Sequence, residues 1–177
     1  ALRGSPALAA EATLQPYRRY PGLDALLAFS DILAVPVAMG MPCRVSEHIG
    51  PQFDFALESP EDVQRLDLLP DVEEKFGHVF DAIFWARQRV GNEVPIMGSA
   101  GAPWTLMAYM VEGGASHTLN RAKEWLYLYP EASRRLLRAL RAVIVEYLVG
   151  QYDAGAPFLQ VFDTCCGEIL PGMYEEF

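Results

Sequence analysis

The spacing of apolar residues divides the chain into alternating helical and extended stretches. From residue 5 to 19, Ala7, Leu8, Ala10 and Leu14 fall on one side of a predicted helix. Arg18 and Arg19 sit at its carbonyl end and Pro21-Gly22 stops it. Leu26 to Leu33 is apolar on both faces of a two-residue alternation, which predicts a parallel strand covered on both sides, until Ser30 and Asp31 interrupt it. Residues 42–57 are short-patterned and mixed, with Gly50-Pro51 as a turn, and predict a small hairpin excursion. Ser59-Pro60-Glu61-Asp62 opens a short helical turn. Asp71 and Glu74 have capping-box spacing before a longer helix carrying Val72, Phe76, Val79, Phe80 and Ile83, which Gly91 ends.

Val94 to Met97 then reads as a buried strand feeding a small-residue turn, Gly98-Ser-Ala-Gly101, with Pro103 placed for the first turn of a helix. Ser116 is positioned to cap a helix through Tyr127, and Pro130 begins another. On that second helix Leu136, Leu137, Leu140, Val143, Ile144, Tyr147 and Leu148 form the apolar face. Arg134, Arg135, Arg138 and Arg141 form a solvated one. Gly155 closes it, and Phe158 to Phe162 is the third strand. The predicted order is helix, strand, excursion, helix, strand, two helices, strand, helix. Strands separated by helical crossovers make parallel sheet, so the fold class is α/β. Three strands cannot close a barrel, which needs eight.

Composition narrows the function classes. The 177 residues are 51% hydrophobic, enough for one domain with a substantial core. Fourteen basic against 23 acidic residues give a net charge of −9, which repels a phosphate backbone, so no nucleic-acid partner is expected. That acidity also makes the arginine stripe an ordinary solvent face. No apolar run of spanning length and no secretory leader pattern occurs, so no membrane partner is expected. Cys43, Cys165 and Cys166 lack the spacing of a disulfide scaffold, which favours a reducing compartment. His48 reads as a loop surface residue and His78 as a solvent-facing or core-edge one. The chain starts at Ala1 without methionine and ends at Phe177 without a terminating signal, and is expected to be part of a longer one.

Parallel strands share a carboxyl edge, so the three deliver Ser30-Asp31, Gly98-Ser99 and Asp163-Thr164 to one rim, with Tyr109 a little beyond the second. Carboxylates, hydroxyls and a phenol there suit proton chemistry or the binding of cationic and N–H-bearing groups. Capping of the following helices is the other account of the same Asp and Thr. No Gly-x-Gly-x-x-Gly, Walker, His-Glu-x-x-His or Cys-x-x-Cys motif is present, and no metal site is expected.

These same residues carry a family likeness. Leu14-Gln-Pro-Tyr-Arg-Arg19, Phe29-Ser-Asp-Ile-Leu33 with Gly40-Met41, the block Gly101-Ala-Pro-Trp-Thr-Leu-Met-Ala-Tyr-Met-Val-Glu-Gly-Gly114, and Gly155-Ala156 with Gln160-Val161-Phe162 resemble uroporphyrinogen decarboxylase, over essentially all 177 residues. The resemblance implies part of a (β/α)8 TIM barrel: about three of its parallel strands with their helices, residues 1–177 forming a single partial domain. It implies a lyase that removes carbon dioxide from the four acetate side chains of uroporphyrinogen to give coproporphyrinogen, in haem and chlorophyll biosynthesis. No metal or organic cofactor is implied; a homodimer of the full-length protein, in the cytosol or plastid stroma, is.

By resemblance, Asp31 gathers the pyrrole N–H groups and stabilises the protonated ring, Tyr109 stands near the reacting acetate, Thr164 contacts substrate and Phe162 lines the cavity. Ser99 stands where the family commonly has Phe, implying a smaller and more polar wall. Asp163-Thr-Cys-Cys-Gly167 replaces a stretch often carrying Ser-His-Ala-Gly. The family's Gln-Ala-Gly-Arg motif, whose arginines receive the substrate carboxylates, is expected upstream of Ala1, and a histidine-bearing strand downstream of Phe177. Two other classes stay open at this level: a related barrel methyltransferase using zinc and a corrinoid or thiol acceptor, and an inactive fragment that binds partners through exposed strand edges.

Overall fold

The computed structural model describes residues 5–46 and 50–177; His48 lies outside the described residues. The elements run α1 (Pro6–Arg19), β1 (Leu26–Leu27), α2 (Ala34–Ala38), β2 (Cys43–Ser46), β3 (Gly50–Phe53), α3 (Pro60–Gln64), α4 (Val72–Val90), β4 (Ile96–Gly101), α5 (Pro103–Glu112), α6 (Asn120–Leu128), α7 (Pro130–Asp153), β5 (Phe158–Phe162), a 3-10 turn (Cys166–Glu168) and α8 (Pro171–Glu176). A three-stranded sheet has the order β1-β4-β5, and β2 pairs with β3. The chain divides into two compact units. The first comprises Ala1–Ile32, Asp71–Ala100 and Val145–Val161; the second comprises Leu33–Pro70, Gly101–Ile144 and Phe162–Phe177.

In the first unit β1 and β4 are parallel, with Leu26 opposite Ile96 and Leu27 opposite Met97. Helix α1 packs on α4 and on β1. It starts because Pro6 needs no N–H partner and Ser5 Oγ accepts from Leu8 N (3.4 Å). It buries Ala9, Ala10, Thr13 and Leu14. Thr13 satisfies its hydroxyl inside the core by donating to Ala9 O and accepting from Phe29 N, which ties the helix to the segment after β1. Helix α4 begins at Asp71, whose Oδ1 accepts from Glu74 N (2.9 Å). Only that half of the expected capping box is seen, since the Glu74 side chain pairs instead with Lys75. Phe76, Val79, Phe80 and Ile83 are buried on one face, as their spacing predicts, each fully buried large side chain contributing about 1.5–3 kcal/mol.

The second unit is organised around α5, apolar almost all round and buried at Trp104, Thr105, Leu106, Met107, Ala108, Met110 and Val111. Gly113 ends it in the left-handed conformation (φ 83°), which strains any side chain, and Ala56 Cβ lies a tight 3.2 Å from where a Cβ would stand. The approach is close because Phe53 N donates to Gly113 O (2.9 Å) and Leu57 N to Met110 O (3.0 Å). The antiparallel β2–β3 hairpin is the excursion expected from residues 42–57. Asp62 anchors α3 by accepting from the backbone N–H groups of Glu58 and Ser59, which hold its carboxyl below its ordinary pKa.

Four sequence expectations need correction. The first strand is not Leu26–Leu33: only Leu26–Leu27 pair, Ala28 N adds one further bond to Met97 O (2.8 Å), and the chain turns into α2. An apolar run satisfies strand and buried helix alike, and Pro36 fits the first turn of a helix. Gly98-Ser-Ala-Gly101 is not a turn but the continuation of β4, the turn falling at Ala102. Ser116 accepts from Leu119 N (3.2 Å) and so stabilises the turn before α6, whose N-cap is Leu119. Three helices, not two, lie between β4 and β5.

Candidate active site

The site residues read from the sequence fall in both units. In the first, Asp31 follows Ser30 just past β1, and both are half-buried. The Pro95 and Met97 carbonyls of the β4 segment accept from Leu26 N and Ala28 N of the neighbouring β1 segment. The next carbonyl in that register, Ser99 O, accepts instead from Gln151 Nε2 (3.0 Å), and Ser99 N donates to Gln151 Oε1 (2.9 Å). A side-chain amide from α7 thus satisfies β4 where the β1 backbone has left it, which a buried strand requires. Ser99, half-buried, is therefore fixed through its main chain.

Ser30 is held from the same helix: its Oγ lies 2.5 Å from Tyr147 Oη. Tyr147 is buried, with its ring 4.3 Å from Phe76 and 6.1 Å from Phe80, centroid to centroid. Burial pushes its phenol up to about 12; the Ser30 bond opposes that shift and the Asp31 charge adds to it.

In the second unit Tyr109 lies on α5, half-buried, and burial first and Cys165 second push its phenol above its ordinary value. Phe162 ends β5, its carbonyl accepting from Ala102 N (2.8 Å) and its side chain exposed. Asp163 accepts from Thr105 Oγ1 (2.8 Å), the same hydroxyl accepts from Cys165 N (3.0 Å), and Trp104 Nε1 donates to Cys165 O (2.8 Å). This net holds the segment after β5 against α5 and leaves Thr164 exposed between two anchored neighbours. Burial raises the Cys165 thiol above its usual value, and Asp163 adds to it. Asp163 also faces a hollow of about 280 Å³ lined by Trp104, Arg138, Arg141, Tyr174 and Phe177.

Among the described residues no group of three His, Cys, Asp or Glu side chains is arranged to hold a metal ion, and no helix is long and apolar enough to cross a membrane. Arg18, on the last turn of α1, is engaged by Glu11. Tyr147, Gln151 and Thr105 were not singled out from the sequence as functional. A polar Gln four residues beyond Tyr147, on an otherwise apolar helical face, was the one available signal for the pair.

The family model of uroporphyrinogen decarboxylase (URO-D) matches residues 1–177. A uroporphyrinogen decarboxylase of Danio rerio is 51% identical over 173 residues, 98% of this chain and 47% of that protein. Those of Homo sapiens and Schizosaccharomyces pombe are 49% and 47% identical, again over 98% of this chain and 47% and 48% of theirs. The chain thus spans about half the length of the curated relatives it matches. A solved methyltransferase from Methanosarcina mazei superposes with a TM-score of 0.80 over 98% of this chain and 51% of its own, at 20% identity, which is a likeness of fold. The chain belongs to the uroporphyrinogen decarboxylase family.

Proposed function

We propose that this chain contributes the decarboxylating site for the four acetate side chains of uroporphyrinogen, giving coproporphyrinogen, as part of one barrel domain. The observation that carries the reading is the family match across the whole chain, with Asp31 standing directly after a serine hydroxyl fixed by a buried tyrosine. Each step replaces a carboxylate by a proton. The pyrrole is protonated at ring carbon, and the resulting cation accepts the electron pair released as carbon dioxide departs. A proton then converts the exocyclic carbon to methyl, and the ring proton is lost. The ring itself is the electron sink.

Asp31 supplies a fixed negative charge where the cation develops and accepts from pyrrole N–H groups. Preorganised charge of this kind lowers the barrier because it needs no rearrangement during reaction. Tyr109 stands by the reacting acetate, where its phenol is a hydrogen-bond donor. Thr164 contacts substrate, Phe162 lines the cavity, and Ser99 leaves its wall more open than an aromatic residue would. The same reading carries a homodimer, no bound cofactor, a cytosolic or plastid location, and products destined for haem or chlorophyll.

The test is anaerobic incubation of the full-length protein with uroporphyrinogen, oxidation of the products to porphyrins, and chromatography by carboxylate number. The expected outcome is stepwise conversion to the four-carboxylate product, reduced about 100-fold or more in Asp31→Asn, the scale of losing one preorganised electrostatic group. Conversion by Asp31→Asn at the unmutated rate would defeat the assignment.

A further inference from the structure

Two side chains one turn apart on α7 reach the two strand ends that carry Asp31 and Ser99. Residues at i and i+4 of a helix stand above one another on the same face, so Tyr147 and Gln151 project together. The Tyr147 phenol meets Ser30 Oγ, and the Gln151 amide grips the Ser99 N–H and C=O. Both are buried, Gln151 completely, and the Tyr147 ring packs against Phe76, so close packing restricts both side chains. Gly98 shows how closely the amide is fitted: a Cβ there would lie 2.7 Å from Gln151 Oε1 and 3.0 Å from Leu159 Cδ2. A glycine therefore precedes Ser99 because the clamp occupies its side-chain space.

We propose that Tyr147 and Gln151 are positioning residues that set the Ser30-Asp31 segment in register with the end of β4. The inference rests on the reading of Asp31 as the catalytic carboxylate. β1 supplies its last ladder bond at Ala28, and two residues further on the Tyr147 hydroxyl holds Ser30. Gln151 holds the facing strand where its β1 neighbour is missing. The carboxylate then meets its substrate already oriented, which matters most for kcat because a displaced charge is out of line with the cation that forms.

The experiment compares Tyr147→Phe, Ser30→Ala, Asp31→Asn and the Tyr147→Phe/Asp31→Asn double variant of the full-length protein in steady-state decarboxylation of uroporphyrinogen, with amide nitrogen–proton spectra of each. Tyr147→Phe keeps the ring packing and removes only the hydroxyl. It should lower kcat about 10-fold with KM changed less than about threefold. Ser30→Ala should reproduce that loss from the other end of the bond, and keeps the test alive should Tyr147→Phe fold poorly. On the Asp31→Asn background Tyr147→Phe should add less than a twofold loss, because the group it orients is gone.

A full 10-fold loss on both backgrounds, or unchanged kcat in Ser30→Ala, overturns the positioning role while leaving Asp31 in place. Normal turnover in Asp31→Asn instead defeats the functional reading. The spectra decide the structural half without turnover: the Ser30 and Asp31 amides should shift or broaden in Tyr147→Phe, and unmoved resonances there overturn the inference.

Discussion

Replacing Gly150 by alanine isolates the packing of α7 on α4, because two opposing effects of known size meet there. In a helix interior the exchange favours folding by about 1 kcal/mol through backbone entropy. The added carbon would stand 2.3 Å from Phe80 Cζ and 2.7 Å from both of its Cε atoms. Carbon contacts are comfortable near 3.5–4.0 Å, so the ring has to retreat by more than about 1 Å. It has little room: Phe80 is buried on α4 and its ring lies 6.1 Å from that of Tyr147. Overpacking of this kind costs about 1–3 kcal/mol, and with three ring atoms struck at once the upper end applies. The net loss is then about 2 kcal/mol, a fall of about 1 M in the urea midpoint at a slope of about 2 kcal/mol/M.

Gly77 on α4 supplies the control, since nothing lies within 4 Å of its missing Cβ. Gly77→Ala should raise stability by about 1 kcal/mol, the propensity gain alone. Equilibrium urea unfolding of both variants checks the pair. A Gly150→Ala protein as stable as the unmutated one would refute the packing argument, for it would mean the ring yields freely.

Two other outcomes follow from buried polar groups. With its folded pKa near 12 against an ordinary 10.0, Tyr147 keeps its proton longer in the folded state than in the unfolded one. Its stabilisation is complete below pH 10 and drains away as pH climbs to 12, at about 1.4 kcal/mol per unit and about 3 kcal/mol in all. Urea midpoints measured from pH 8 upward should fall more steeply above pH 10 for the unmutated protein than for Tyr147→Phe, and parallel curves would contradict the assignment. Thr105→Val keeps the shape of a fully buried side chain while removing its bonds to Asp163 and Cys165 N. It should cost about 2–3 kcal/mol in urea unfolding, and a cost below about 0.5 kcal/mol would show the net to be idle.

Much of the architecture was legible because its periodicity is local. The apolar stripes of α4 and α7, the Pro130 start and the Phe158–Phe162 strand need no knowledge of distant residues. The misread stretches are those whose cause is remote. Gly98-Ser99 has the composition of a turn, but the glycine is there for an amide 53 residues further on at Gln151, which local pattern cannot reveal. The apolar run Leu26–Leu33 predicts too long a strand because apolar residues alone do not mark where a strand stops pairing.

Asp31 stood out because a carboxylate broke an apolar run, an anomaly visible in one dimension. Tyr147 did not, since a tyrosine on an apolar helical face is unremarked until its hydroxyl is traced to Ser30. The roles assigned to Tyr109, Phe162 and Thr164 came from family likeness, as nothing in their spacing distinguishes a binding phenol, ring or hydroxyl from a structural one.

If Asp31 drives loss of carbon dioxide from pyrrole acetates, release of that gas must depend on its carboxylate. Uroporphyrinogen carrying 13C in its four acetate carboxyls, incubated without oxygen, reports this directly as labelled carbon dioxide by mass spectrometry. Steady release of label is expected from the full-length unmutated protein, and release about 100-fold slower or less from Asp31→Asn. No labelled gas from that full-length protein, or equal release from both, would contradict the role given to Asp31.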